Sequence, residues 1–145
     1  IARKHRLTEM FLVEKMGFGW EQVHEIAEQI EHIQSPIFFD KMDEILNYPK
    51  FDPHGSPIPD KEGNFDLVSF KKLAEFQPGD SIEICAVLYS SDDFLSFLNS
   101  KKLSLGSVLK IIEIERFDKS MKVEYADKTE VFSSLITEKL LVKKV

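Results

Sequence analysis

The chain has 145 residues, 43% of them apolar and 30% charged, with six Gly, six Pro and one Cys, a balance that excludes a disordered chain, a collagen repeat and a disulfide scaffold. No run approaches the roughly 18 uninterrupted apolar residues a membrane span requires, and Ile1-Ala2-Arg3-Lys4-His5 has neither a signal-peptide apolar region nor an initiator Met, so the chain reads as a soluble, cytoplasmic fragment of a longer protein. The formal charge of −6 is concentrated in residues 1–63, where seven Lys and Arg face twelve Asp and Glu; that is the wrong footprint for a polyanion, because binding DNA needs clustered cations to displace condensed counterions.

Residues 3–16 place Leu7, Met10 and Phe11 at helical spacing, with Gly17 and Gly19 as stop signals. Residues 20–34 put Val23, Ala27, Ile30 and Ile33 on one stripe at i, i+4, i+7 and i+10, which predicts a second helix. Ser35 and Pro36 supply an N-cap hydroxyl and a first-turn proline for a short third helix. It carries Phe38, Phe39, Met42, Ile45 and Leu46 and stops before Pro49. Segment 49–63 holds four Pro and two Gly, so it can continue neither a helix nor a central strand and is expected to be a domain boundary. Beyond it the period becomes two, at Ile82, Ile84 and Ala86, then Val108, Lys110 and Ile112, Val123 with Tyr125, and Val131. One helical interlude over 90–103 has Ser90 or Ser91 as N-cap and Asp92 and Asp93 in its first turn, where they favour the helix dipole. The expected class is α+β, a helical domain over 1–63 followed by a five-stranded β-barrel over 64–145.

The chemistry lies in the first two helices. His24, Glu28, Glu31 and His32, at i, i+4, i+7 and i+8, emerge along one helical stripe, and His5 and Glu9, at i and i+4, share a face of the first helix. Antiparallel packing across the Gly17–Gly19 turn sets these faces together. One His–Glu pair is an ordinary surface feature, but crowded carboxylates and neutral imidazoles are most simply compensated by a divalent cation. The His-Glu-x-x-His order of metalloproteases does not occur, and Glu28 opens no Glu-x-x-His pair of the di-iron type, because residue 31 is Glu. A binuclear hydrolase using the same ligands is the rival reading. Trp20, Phe38, Phe39 and Phe51 offer a dimer surface, His54 is expected to be a solvated loop histidine, and Cys85 a small buried apolar residue.

The segments RKHRLTE (3–9), VHEIAEQIEHI (23–33) and HGSPIP (54–59) resemble the metal-binding and dimerisation domain of the diphtheria-toxin-repressor and manganese-transport-regulator family of metal-dependent transcriptional repressors. The resemblance covers residues 1–63. The second half, with its Gly79-Asp80 turn, helix at 92–99 and Leu105-Gly106 turn, is similar to the small src-homology-like (SH3-like) β-barrel, also called the ferrous-transport-protein-A-like domain, that follows in many members. The resemblance implies an ancillary metal site containing His5, Glu9 and His24, and a primary, activating site containing Glu28, Glu31 and His32. Barrel side chains complete the ancillary site in such members; the matching helix start here offers Asp93, with Ser90 where a carboxylate would be expected. Position 28 is Cys in iron-responsive members. Glu28, as in manganese-responsive ones, is a hard oxygen donor, so Mn2+ is the expected metal, with Fe2+ next. The family's N-terminal winged helix is missing from this sequence, so the resemblance implies a homodimeric sensor, not an enzyme, that leaves DNA contact to that absent domain.

Overall fold

The computed structural model describes residues 2–64, 69–88 and 91–145. The chain forms two compact units, Ile1–Val68 with Ser91–Ser96, and Ser69–Ser90 with Phe97–Val145. No helix among the described residues is long and apolar enough to cross a membrane.

The first unit holds α1 (Ala2–Met16), α2 (His24–Ile30) and α3 (Pro36–Ile45). Helix α1 buries Leu7, Thr8, Glu9 and Leu12. Leu7 joins Phe39 and Met42 of α3 and Ile58 of the following loop in the core, with Phe11, Ile30 and Leu46 packed against them. Each such burial is worth about 1.5–3 kcal/mol. The buried Thr8 hydroxyl donates to the Lys4 carbonyl one turn back, at 2.7 Å, which removes the cost of a lone polar group. Helix α1 stops where Gly17 takes φ +75° and the Phe18 N–H returns to the Leu12 carbonyl.

Helix α2 is shorter than the predicted 20–34. A turn closed by the Gln22 N–H on the Gly19 carbonyl, 3.0 Å, occupies the residues before it, and Glu31 is its C-cap, so His32 lies beyond the helix. Seven residues are too few for autonomous helicity; burial of Val23 and Ala27 holds the segment. Helix α3 follows expectation: the Ser35 hydroxyl accepts from the Phe38 N–H at 3.3 Å, and Pro36 opens the first turn. The Pro-rich loop after it is ordered by its own hydrogen bonds. Asp52 Oδ1 accepts from the His54 and Ser56 N–H groups, both at 2.9 Å, while the Asp52 N–H donates to the Ser56 carbonyl.

The second unit holds one six-stranded antiparallel sheet, β1 (Lys71–Lys72), β2 (Ser81–Val87), β3 (Val108–Ile114), β4 (Met121–Tyr125), β5 (Lys128–Phe132) and β6 (Leu140–Lys144), in the order β1-β6-β2-β3-β4-β5. Among the described residues six strands stand where five are expected, because the two-residue β1 has no period and β6 enters as the unbroken apolar run Leu140-Leu141-Val142. Irregularities at Ile84/Ala86 and Ile111/Glu113 shift the register. Ile82, Ile84, Leu109, Ile111, Met121, Val123, Phe132, Leu140 and Val142 are buried. Cys85, expected to be buried, is half-exposed on β2. Helix α4 covers Asp92–Ser100, within the predicted 90–103. The Ser91 hydroxyl accepts from the Phe94 N–H at 3.2 Å as its N-cap, and Ser90 lies outside the described residues. The four-residue α5 (Ser134–Thr137) is too short to show a helical period.

Strands β4 and β5 join through Ala126 and Asp127, at φ +49° and +61°, with Tyr125 opposite Lys128; this is a two-residue turn of the type that favours Asn-Gly. Replacing Ala126→Asn together with Asp127→Gly is expected to stabilise the chain by about 1 kcal/mol by relieving left-handed strain. Urea denaturation reads this as a higher midpoint at unchanged slope; a lower midpoint would contradict the turn.

Candidate metal centre

Three segments of the first unit converge on one carboxylate. Glu9, on the buried face of α1, is 3% exposed. One turn earlier, His5 brings Nε2 to 3.4 Å from Glu9 Oε2, and His24, the first residue of α2, brings Nδ1 to 3.7 Å from the same oxygen. The two imidazoles meet edge to face, with His5 Nε2 and His24 Nδ1 3.3 Å apart. From the Pro-rich loop, His54 sets Nδ1 3.8 Å from Glu9 Oε1. His5 also turns its other nitrogen, Nδ1, toward Glu31 Oε1 at 3.4 Å.

Two groups of possible ligands share Glu9: His5, Glu9 and His24, and Glu9, Asp52 and His54, each with one ligand atom per residue lying within 4.8 Å of the others. The second group is wholly buried, and sequence reasoning misses it. His54, expected to be solvated, is 6% exposed, because the Asp52-centred turn folds the loop back onto α1. Its one sequence signal is an Asp-x-His step in a Pro-rich loop, compatible with a side-chain-to-backbone turn.

The other expected residues are placed differently. Glu31 reaches the cluster through His5, whereas Glu28 and His32 are exposed and belong to neither group. Helix α2 ends at Ile30, with Glu31 as its C-cap and His32 one residue further on. Asp93, in the first turn of α4, is exposed and also belongs to neither group.

The electrostatics suit a cation. The hydrogen bond to Glu9 raises the His5 pKa above 6.5; burial opposes this, and the charges of Glu9 and Glu31 add to the rise. Burial pushes Glu9 upward, but the hydrogen bond from His5 and the charges of His54, His5 and His24 hold it below 4.5. For Asp52 burial wins: its pKa is raised above 3.8, with His54 and the Ser56 N–H opposing and the charge of Glu9 adding. Two buried carboxylates that penalise each other beside an imidazole form a donor set that a divalent cation would relieve, so these residues fit a metal.

In the metal-free chain, the stabilisation from His5 is fully present below pH 6.5 and is lost as pH rises through its elevated pKa; that from Glu9 is present above pH 4.5 and lost as pH falls through its depressed pKa. Urea denaturation is therefore expected to show stability declining from about pH 6 to about pH 8, the imidazole range. Glu9→Gln should flatten that decline. An equal decline in the variant would show that the two groups are not coupled.

The family described as iron dependent repressor, metal binding and dimerisation domain matches residues 1–60. The iron-dependent repressor IdeR of Mycobacterium bovis is 33% identical over 91 residues, 58% of this chain and 40% of that protein. The chain thus spans about 40% of the length of this curated relative. A manganese-dependent transcriptional repressor solved in complex with manganese superposes with a TM-score of 0.93 at 29% identity, over 99% of this chain and 69% of that one. ScaR with bound Zn2+ superposes with a TM-score of 0.86 at 31% identity, over 99% and 71%.

Proposed function

Since the chain belongs to the diphtheria-toxin-repressor and manganese-transport-regulator family of metal-dependent transcriptional repressors, we propose that it is the metal-sensing and dimerisation portion of such a repressor. The observation that carries this reading is the buried Glu9 carboxylate faced by imidazoles from α1, α2 and the Pro-rich loop. In it, His5, Glu9 and His24 hold one cation, Asp52 and His54 with Glu9 hold another, and Glu28, Glu31 and His32 belong to the primary, activating site. A bound cation supplies positive charge that neutralises the converging carboxylates. His5 and His24 act as neutral donors, and Glu9 ties the α1 face to the loop. Asp93 is retained as a further ligand to the ancillary site. The domain boundary is read after residue 63.

Oxygen-rich donors favour Mn2+, with Fe2+ next. The protein acts in the cytoplasm. DNA contact belongs, in this reading, to a winged-helix segment outside these 145 residues. Metal selects the orientation in which two such segments of a dimer fit successive major grooves. The matched relatives are repressors, which leaves the binuclear hydrolase without support, and no catalytic role is assigned.

Calorimetry with Mn2+ is expected to show binding that weakens as pH falls through the imidazole range, since the histidines must be neutral to coordinate. Glu9→Ala should weaken it by more than about tenfold, and Glu28→Cys should shift preference toward Fe2+ or Co2+. Binding indifferent to Glu9→Ala would sink the site.

Helix α3 supports the homodimer. Ile37 is 80% exposed, with Phe38 and Ile45 also open, whereas Phe39 is in the core and Trp20 and Phe51 are half-buried. Of the four expected surface aromatics only Phe38 is open. Sedimentation is expected to show a dimer at micromolar concentration without metal, and Ile37→Asp with Phe38→Asp should give a folded monomer; an unchanged dimer would remove α3 from the interface.

A further inference from the structure

We propose that Trp20 is a positioning residue for His54, its carbonyl anchoring one ring nitrogen so that the other is presented, unprotonated, to a cation held with Glu9 and Asp52. The proposal rests on the reading of those three residues as a cation site.

His54 Nε2 lies 2.8 Å from the Trp20 carbonyl oxygen. A carbonyl only accepts, so Nε2 carries the proton and the neutral ring has its lone pair on Nδ1. That nitrogen lies 3.8 Å from Glu9 Oε1, and one ring nitrogen of His54 lies within 4.8 Å of an Asp52 carboxylate oxygen. When Nδ1 carries no proton, its lone pair and the Glu9 carboxylate both face a point that a cation can occupy. Histidines that bind metal characteristically donate their second N–H to a carbonyl or carboxylate, which fixes ring and tautomer.

The carbonyl is itself held. Trp20 sits in the Gly19–Gln22 turn, where the Gln22 N–H donates to the Gly19 carbonyl at 3.0 Å and the Gly19 N–H donates to Gln22 Oε1 at 2.7 Å. Buried Val23 pins the end of the turn to the unit. The indole stacks on the imidazole, with ring centroids 6.0 Å apart and planes 21° apart, limiting rotation of the ring out of the site. On the other side, the His54 backbone N–H is tied to Asp52 Oδ1. Trp20 thus acts through His54 without touching the cation.

The test uses the full chain, 15N-labelled at histidine, first metal-free and then titrated with Zn2+ as a diamagnetic probe. In the metal-free wild type, the His54 Nε2–H proton should be observable and protected from exchange. In Gln22→Ala, which loosens the turn that holds the carbonyl, and in Trp20→Ala, which keeps the carbonyl and removes the stacked ring, that protection should fall. Zn2+ should shift His54 Nδ1 in the wild type and bind about tenfold more weakly in both variants, while Trp20→Phe, which keeps a stacked ring, should stay close to wild type. Gln22→Ala loosens the carbonyl without removing the indole, so it keeps the test open should Trp20→Ala fail to fold. Protection and Zn2+ affinity both unchanged in Gln22→Ala and, where it folds, in Trp20→Ala would overturn the proposal. Zn2+ that leaves wild-type His54 unmoved while Nε2–H stays protected would overturn the cation-site reading alone, leaving Trp20 a purely structural anchor.

Discussion

A carboxylate removed from water must be compensated, and Glu9 is compensated from three directions at once. His5 and His24 address one of its oxygens and His54 the other. The rest of the first unit follows from making this possible. Leu7 and Glu9, two residues apart on α1, are buried on different sides of the helix, the first in the apolar core with Phe39, Met42 and Ile58 and the second in the polar cluster. The loop that delivers Ile58 to the core also delivers His54 to Glu9. Apolar packing therefore does not merely tolerate the polar cluster; it fixes where the cluster's third imidazole sits, because the few residues between His54 and Ile58 leave little slack.

How much of this is legible in the sequence depends on whether a feature has a period. Helices α1 and α3 carry an apolar stripe and clear stop or cap signals, and the pairing of His5 with Glu9 follows from a spacing of four. Val23, Ala27 and Ile30 also announce α2. The flanking residues Trp20 and Ile33 have helical spacing too, and nothing in the pattern says that Gln22 will fold its amide back to the Gly19 N–H and start the helix late. The role of Asp52 is invisible for a related reason: a side chain that accepts from two backbone N–H groups makes a structure without any periodicity. In the second unit, alternation exposes β2 to β5, whereas β1 is two residues long and β6 is an unbroken apolar run.

The candidate ligands fall into two physical states. Glu9, Asp52 and His54 are already desolvated and His5 is half-buried, so a cation entering among them meets donors that the fold has largely ordered. His24, Glu28 and His32 are exposed, and a cation recruiting them must still order them. Glu31 stands between the two states. Its contact with His5 Nδ1 makes that imidazole a bridge, with one nitrogen toward the buried carboxylate and the other toward the end of α2. A change in what His5 Nε2 binds alters the charge that Glu31 experiences across a single ring.

The donor chemistry constrains which cation can be discriminated, and how. Among the described residues, the two groups offer carboxylate oxygen and imidazole nitrogen as donors. Such donors do not by themselves exclude Zn2+ or Cu2+, which bind nitrogen and oxygen sites more tightly than Mn2+ or Fe2+ along the first-row series. A preference for Mn2+ must then come from coordination number and from how the site is finished, since a tetrahedral ion is satisfied by few ligands while Mn2+ seeks more oxygens. The three residues of each group cannot complete an octahedron alone. What they can do is set a rigid, negatively charged face, leaving the choice of metal to the donors that close the remaining positions.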